Sequence, residues 1–242
     1  MQGTLFKLEP AEAARLRSLA EFDDESGVAQ LTRVTFHPTY AYEDFIEGYK
    51  PTDSGSGGLE LKMKDGVFKR VCRAAAADPG RDYVLMIDEI NRGNVPKIFG
   101  ELITLIEKDK RGMPLTLPQS GESFHVPANV HLIATMNTAD RSIHILDAAL
   151  RRRFAFVELM PDPGVLTTRV GPLPLEDFLR ELNSRIREVV GREKQVGHAV
   201  LMKAGVPIEA AAEFALSFKY ELLPLLQEYT YGNYNDLSLI HI

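Results

Sequence analysis

The chain has 242 residues, 45% of them hydrophobic and 26% charged, and a formal net charge of −6, which suits a globular protein of one or two domains and excludes a wholesale nucleic-acid binder. Its one cysteine, Cys72, excludes an internal disulfide and makes a reducing cytoplasm the expected location. Apolar runs fall far short of the ~18 residues of a membrane span, and the first residues lack a signal-peptide core, so no membrane partner is expected.

Residues 1–30 offer one feature, a helical stripe of Ala13, Leu16, Leu19 and Ala20. Residues 31–36 alternate and are β-branched, which predicts a strand. The stretch 37–48 that follows is aromatic and acidic. Its aromatics read as packing and its acids Glu43, Asp44 and Glu47 as a solvated face. Residues 50–58 form a Pro/Ser/Gly loop. Residues 59–68 read as a hairpin turning at Lys64-Asp65-Gly66, because Asp-Gly is a strong turn dipeptide. A helix is predicted over 68–77, stopped by Asp78-Pro79-Gly80.

Residues 83–87, Tyr-Val-Leu-Met-Ile, form an unbroken apolar run, the pattern of a strand covered on both faces in a parallel sheet. Asp88 and Glu89 end it. After Asn94, a good N-cap, apolar residues from Val95 to Ile106 recur at helical spacing and predict a helix over 95–108. A hairpin around Ser120-Gly121 is predicted next. Residues 130–136 form a second buried strand ending at Asn137. A helix over 143–150, the basic run Arg151, Arg152 and Arg153, and a strand over 154–159 complete this part. Residues 161–174, rich in Pro and Gly, mark a domain boundary. Beyond it the pattern is helical, with Leu175, Phe178, Leu179, Leu182, Ile186 and Val189 on one stripe. A second helix is predicted over 207–229, kinked or split by Pro224. Residues 237–242 read unlike the rest, as a non-native tail.

Acids at the carboxyl end of a buried strand stand where open α/β sheets bind ligands. Taken alone, the pair fits a Walker B site or two exposed acids equally well. An amide at the end of the next buried strand and an arginine cluster beyond it add to the pair. Phosphoryl transfer uses these groups: carboxylates for metal and water, an amide to orient that water, and cations to meet charge on the γ-phosphate. A P-loop of the form Gly-x-x-x-x-Gly-Lys-[Ser/Thr] is absent from the 242 residues, since no lysine precedes Ser or Thr.

The runs Ile87-Asp88-Glu89-Ile90-Asn91-Arg92, Met136-Asn137-Thr138-Ala139-Asp140-Arg141-Ser142 and Ala149-Leu150-Arg151-Arg152-Arg153-Phe154 resemble the AAA+ motors of the McrB family. So do the segments Tyr42-Glu43-Asp44-Phe45-Ile46-Glu47-Gly48 and Val196-Gly197-His198, and the likeness covers residues 31–236. It implies an α/β AAA+ core of P-loop NTPase type over residues 1–160, without its Walker A segment, and a small all-α lid over 161–236. It implies Mg²⁺ with GTP or ATP as the cofactor and substrate pair, held at Asp88. Glu89 would be the catalytic base and Asn137 the group that positions water. Asp140 and Arg141 would belong to the same segment, and Arg152 and Arg153 would be arginine fingers acting on a neighbouring subunit. A solvated basic turn is the alternative for the arginines. For His198 a nucleotide-proximal role and a core histidine both stand. For Asn91 and Arg92 a pore or interface position and a simple helix cap both stand.

The resemblance further implies a ring, expected to be a hexamer, an McrC-like nuclease subunit as partner, and DNA as the substrate of the assembled complex. With the P-loop and a DNA-reading domain missing from the 242 residues, the chain is expected to be a fragment of a longer NTPase, inactive in isolation. Two alternatives remain: a MoxR-like remodelling ATPase and a non-catalytic interaction module of the same fold.

Overall fold

The computed structural model describes residues 30–53, 58–137 and 148–229. The chain forms two compact units that part between Glu158 and Leu159. In the first, three strands, β1 (Leu31–Thr35), β4 (Tyr83–Asp88) and β7 (Val130–Ala134), make a parallel sheet in the order β1-β4-β7. β4 is therefore central, and its apolar run is buried from Tyr83 to Leu85 and again at Ile87. A strand with neighbours on both edges and cover on both faces needs this continuous apolar sequence.

The sheet packs on helix α2 (Val67–Ala77) and on a cluster of rings from neighbouring segments, among them the short helix α1 (Tyr42–Phe45). Phe45 stacks on Phe68 with centroids 5.1 Å apart and meets Phe99 at 4.7 Å and Phe36 at 5.5 Å. Phe36, Phe45, Phe68 and Phe99 are fully buried, so the aromatics after β1 are core. Asn129, just ahead of β7, donates to the carbonyls of Ala75, Asp78 and Arg81, closing the end of α2 and the turn after it.

Several expected elements differ. Strand β2 (Glu47–Asp53) pairs antiparallel with β3 (Leu59–Asp65), with Asp65 opposite Glu47 inside the ladder, so Lys64-Asp65-Gly66 is not the turn of a hairpin. Residues 50–53, expected as loop, are strand. Gly66 instead precedes α2: its N–H donates to Ile46 O at 2.6 Å, and a Cβ there would lie 2.3 Å from the Phe45 carbonyl carbon. The Asp-Gly pair serves a strand-to-helix junction where two backbones touch.

The helix expected over 95–108 stops early. Helix α3 (Val95–Phe99) gives way to a 3₁₀ turn, Gly100–Thr104. Gly100 sits at φ +53°, and a Cβ on it would come within 2.9 Å of the Tyr42 ring. Tyr42 fixes that approach by donating from its hydroxyl to Glu101 at 2.7 Å. The expected hairpin is present as β5 (Leu115–Thr116) with β6 (Ser123–Phe124). Of the helix expected over 143–150, only α4 (Ala148–Arg151) lies within the described residues. Residues 154–159 are not a strand: they pair with no strand among the described residues, and none of them is buried.

The second unit centres on helix α5 (Leu175–Val189), whose Leu175, Phe178, Leu179, Leu182 and Ile186 are buried. Asn183 is buried beside them and pairs with Val196 through both its amide atoms, at 2.9 and 2.7 Å. The unit is not purely helical: β8 (Arg169–Val170) pairs with β9 (Leu173–Pro174), and β10 (Met202–Lys203) with β11 (Val206–Pro207). The last helical stretch is split as Pro224 demands. Helix α6 (Ala211–Ser217) passes through a π turn, Phe218–Leu222, into α7 (Leu223–Tyr229). Proline at 224 offers no N–H to the preceding turn, and the wider π turn absorbs the lost bond.

Candidate active site

The carboxyl edge of the parallel sheet brings together Asp88, Glu89 and Asn137. Asp88 closes β4 opposite Thr35 of β1, and its carbonyl accepts from the Phe36 N–H at 2.9 Å. On the other side Thr135, which follows β7, is buried and joins the two strands. Its N–H donates to Ile87 O at 2.9 Å, and its carbonyl accepts from Ile90 N–H at 2.9 Å. Its hydroxyl accepts from the Glu89 N–H at 3.1 Å and donates to the Asp88 carboxylate. The Asp88 side chain is thereby oriented while remaining exposed.

Glu89 lies in the left-handed region, at φ 52° and ψ 48°. For a residue with a Cβ this conformation costs roughly 1–2 kcal/mol, and such residues cluster where function over-rides local preference. It turns the chain into a 3₁₀ segment, Ile90–Arg92, and leaves the Glu89 side chain one-quarter exposed. Arg92 holds that carboxylate, Nε to Oε2 at 2.5 Å. Asn91 is buried and donates from Nδ2 to the Asn137 carbonyl at 3.0 Å, which ties the acid turn to the end of β7. Its Oδ1 is buried without a hydrogen-bond partner. Asn91 therefore bridges two strand ends, which neither sequence reading of it had specified.

Mg²⁺ is commonly held by one or two carboxylates together with water and substrate phosphates. An exposed, oriented Asp88 beside Glu89 fits that donor set. Among the described residues no cluster of three or more His, Cys, Asp or Glu side chains offers an all-protein cage.

Asp140 and Arg141 lie outside the described residues. Arg152 and Arg153 follow α4 and are placed differently. Arg152 is exposed. The Arg153 side chain is 5% exposed, and its Nε stands 2.8 Å from Glu107 Oε1, a charge contact without an aligned hydrogen bond. Glu107 also pairs with Lys110 at 2.9 Å. That hydrogen bond first, then the charges of Lys110, Arg153 and Arg152, hold its carboxyl below the usual range. Arg151 lies over the Phe156 ring, 5.9 Å from its centroid. The basic run is therefore not a uniform solvated turn.

His198, in the second unit, is half-buried and accepts at Nδ1 from the Asp162 N–H at 3.1 Å. It packs locally and leaves Nε2 as the ring's other polar atom. Thr135 was missed in the sequence because a threonine in a β-branched run reads as strand packing.

A second charged cluster was also missed. Glu47, expected on a solvated face, is fully buried, and its Oε2 accepts from Lys69 Nζ at 2.6 Å. Lys69, 1% exposed, also meets Glu122 at 2.7 Å and Asp65 at 3.3 Å. Arg73 closes the cluster on Asp65 and Glu122, both at 2.7 Å. The Ser120 N–H donates to Glu47 Oε1 at 2.9 Å. Burial would raise the Glu47 carboxyl, but the Lys69 and Ser120 hydrogen bonds overcome it and hold it below the usual range. Burial would lower Lys69, and its hydrogen bonds to Glu122 and Glu47 raise it instead.

Residues 16–154 match the AAA domain (dynein-related subfamily), and residues 174–238 match the McrB alpha-helical lid domain. The chain is 38% identical over 195 residues to the type IV methyl-directed restriction enzyme EcoKMcrB subunit of Escherichia coli (strain K12), covering 72% of this chain and 41% of that protein. It is 33% identical over 212 residues to the type II restriction enzyme BsuMI component YdiS of Bacillus subtilis (strain 168), covering 69% of this chain and 62% of that one. The chain thus spans about two fifths to three fifths of the length of these curated relatives.

Proposed function

The chain belongs to the AAA family, dynein-related subfamily, with an McrB-type lid, and from that premise we propose that it is the nucleoside-triphosphatase module of an McrB-like restriction motor. Its parent hydrolyses GTP or ATP in a ring, expected to be a hexamer, and acts on DNA with an McrC-like nuclease subunit in the cytoplasm. The α/β core is assigned to residues 1–160 and the lid to 161–236. The observation that carries the reading is the strained Glu89 beside an oriented Asp88 at the carboxyl edge of the central strand, tied to Asn137 through Thr135 and Asn91.

Bound through Asp88, Mg²⁺ would neutralise charge on the nucleotide phosphates. Glu89, released by Arg92, takes the proton from the attacking water, and Asn137 orients that water. Asp140 and Arg141 belong to the same segment. Arg152 meets the charge that grows on a neighbouring subunit's γ-phosphate, and Arg153, held by Glu107, fixes the turn that presents it. For His198, in the lid, the proposed role is nucleotide binding.

The test is Glu89→Gln in a protein that joins these residues to a P-loop-bearing segment. The amide keeps size and hydrogen bonding but cannot act as a base. Turnover should fall by ~10²–10⁴ with nucleotide affinity retained. Near-unchanged hydrolysis would remove Glu89 as the base. The 242 residues by themselves should bind GTP or ATP weakly, because the lysine and N–H cradle for the phosphates is not among them. Low-micromolar affinity in a calorimetric titration would contradict this.

A further inference from the structure

The β2–β3 ribbon has two unlike faces. Its register sets Tyr49 opposite Met63, Pro51 opposite Leu61 and Asp53 opposite Leu59 on one face. Gly48 lies opposite Lys64, Lys50 opposite Lys62 and Thr52 opposite Glu60 on the other. Both faces meet water, the apolar one included: Leu59 is 82% exposed, Leu61 66% and Tyr49 59%. Contiguous exposed apolar side chains rimmed by charge mark an interaction surface. The lysine face carries only solvent-exposed pairs, Lys50 with Asp44 at 3.0 Å and Lys62 with Glu60 at 3.2 Å, which hold weakly. Lys64 is exposed as well.

Among the described residues, neither strand pairs with another on its outer edge. β2 carries Pro51, which has no N–H, and proline in a two-stranded ribbon sits with its nitrogen toward the open side. β3, seven residues long, carries no proline, and Lys62 and Lys64 are the charges that guard its edge.

We infer that the open edge of β3 docks an extended polypeptide segment whose side chains alternate apolar and acidic. A third strand places successive side chains on opposite faces. Its apolar residues would extend the face of Leu59, Leu61 and Met63 and remove it from water. Its acidic residues would lie across from Lys62 and Lys64, where opposite charges on facing strands attract. Backbone bonds along β3 supply the rest, as in strand addition to a sheet edge. A second copy of β3 is a poorer occupant, because pairing antiparallel about Leu61 sets Lys62 against Glu60 but leaves Lys64 opposite Gly58, without a charge partner. A nucleic acid would engage the lysines and leave Tyr49, Leu59 and Leu61 wet.

The test uses the chain with a fluorescein-labelled peptide, Glu-Val-Glu-Ile-Glu-Val-Glu, read by anisotropy. Saturable binding is expected, with a scrambled peptide of the same composition and a Lys-Val-Lys-Ile-Lys-Val-Lys peptide each at least about tenfold weaker. The Leu61 and Met63 amides should gain protection from hydrogen exchange. Leu61→Ser should weaken binding about tenfold with the melting temperature unchanged, since the side chain is exposed. The double variant Lys62→Glu, Lys64→Glu should prefer the lysine peptide. Absent or non-saturable binding, equal binding of the scrambled peptide, or no effect of these variants would overturn the proposal. So would ribbon-dependent dimerisation in sedimentation, or tighter binding of a DNA duplex that Lys62→Glu, Lys64→Glu abolishes. None of these readouts depends on nucleotide hydrolysis, so this proposal and the preceding reading can fail separately.

Discussion

Glu47 and Glu89 are carboxylates of the same unit held in opposite ways. Glu47 is fully buried, receives a lysine and a backbone N–H, and belongs to a cluster of three acids and two bases drawn from four segments. Glu89 is one-quarter exposed, stands on a strained backbone, and meets one arginine that is itself half in solvent. Burial with several partners makes a charge structural, because its removal leaves the others unpaired. Exposure with one half-exposed partner on a strained turn leaves a charge available for chemistry, and the fold loses little without it. Substitutions in the two regions should therefore separate activity from stability.

The largest effect is expected at the arginines. In the protein carrying a P-loop, Arg152→Ala should cost ~10³-fold or more in turnover and much less in nucleotide affinity, because a finger acting in trans meets charge that grows in the transition state. Mixing Arg152→Ala with Glu89→Gln subunits should restore part of the rate: the Gln subunit donates its arginine and the Ala subunit its base. Flat, additive rates across the mixing series would assign the run a structural role. Arg153→Ala should lower thermal stability as well as rate, since it leaves the buried Glu107 oxygen facing a gap.

Lys69→Met is the counterpart in the buried cluster. Removing one member of a buried ion pair costs about 3–5 kcal/mol. Urea unfolding should show a loss of that order, and the double variant Lys69→Met, Glu47→Gln should recover part of it, because no bare carboxylate then remains buried. Loss of less than about 1 kcal/mol would mean that water reaches the cluster and that it ranks with surface pairs.

The same cluster sets a pH window. Glu47 has a lowered folded pKa, so its contribution is present above the unfolded value, about 4.3, and is lost as pH falls through the folded one. Lys69 has a raised folded pKa, so its contribution is present below about 10.4 and is lost as pH rises through the folded one. Melting temperatures should hold between those limits and fall outside them. Glu47→Gln should flatten the acid limb. An unaltered acid limb in that variant would shift the titration to other groups.

How far these regions were legible follows from the range of the interactions. The β4 strand was plain because five adjacent residues carry its signal. The acids after it were legible for the same reason, being local. The Glu47–Lys69 contact spans 22 positions and joins a strand to a helix, so no short pattern marks it, and Glu47 beside Glu43 and Asp44 imitates a solvated face. Asp65-Gly66 misled because glycine serves a tight turn and a close backbone approach alike, and only the Phe45 carbonyl decides between them. The helix break at Gly100 depends on Tyr42, which arrives from 58 residues earlier.

The smallest effect expected carries the clearest sign. Glu89→Gln and Glu89→Gly both remove the ion pair to Arg92, but only glycine adopts φ 52° freely. The left-handed region costs a residue with a Cβ roughly 1–2 kcal/mol. Glycine returns part of this by losing more chain entropy on folding, about 0.4–1 kcal/mol. The glycine variant should therefore be more stable than the glutamine variant by roughly 0.5–1 kcal/mol. Both should be inactive in the P-loop-bearing protein. Urea unfolding of the two variants measures the difference directly, with the lost ion pair cancelling between them. A glycine variant equal to or weaker than glutamine would mean that Glu89 is not strained in solution. Its backbone would then be ordinary, and the contrast with Glu47 would rest on exposure alone.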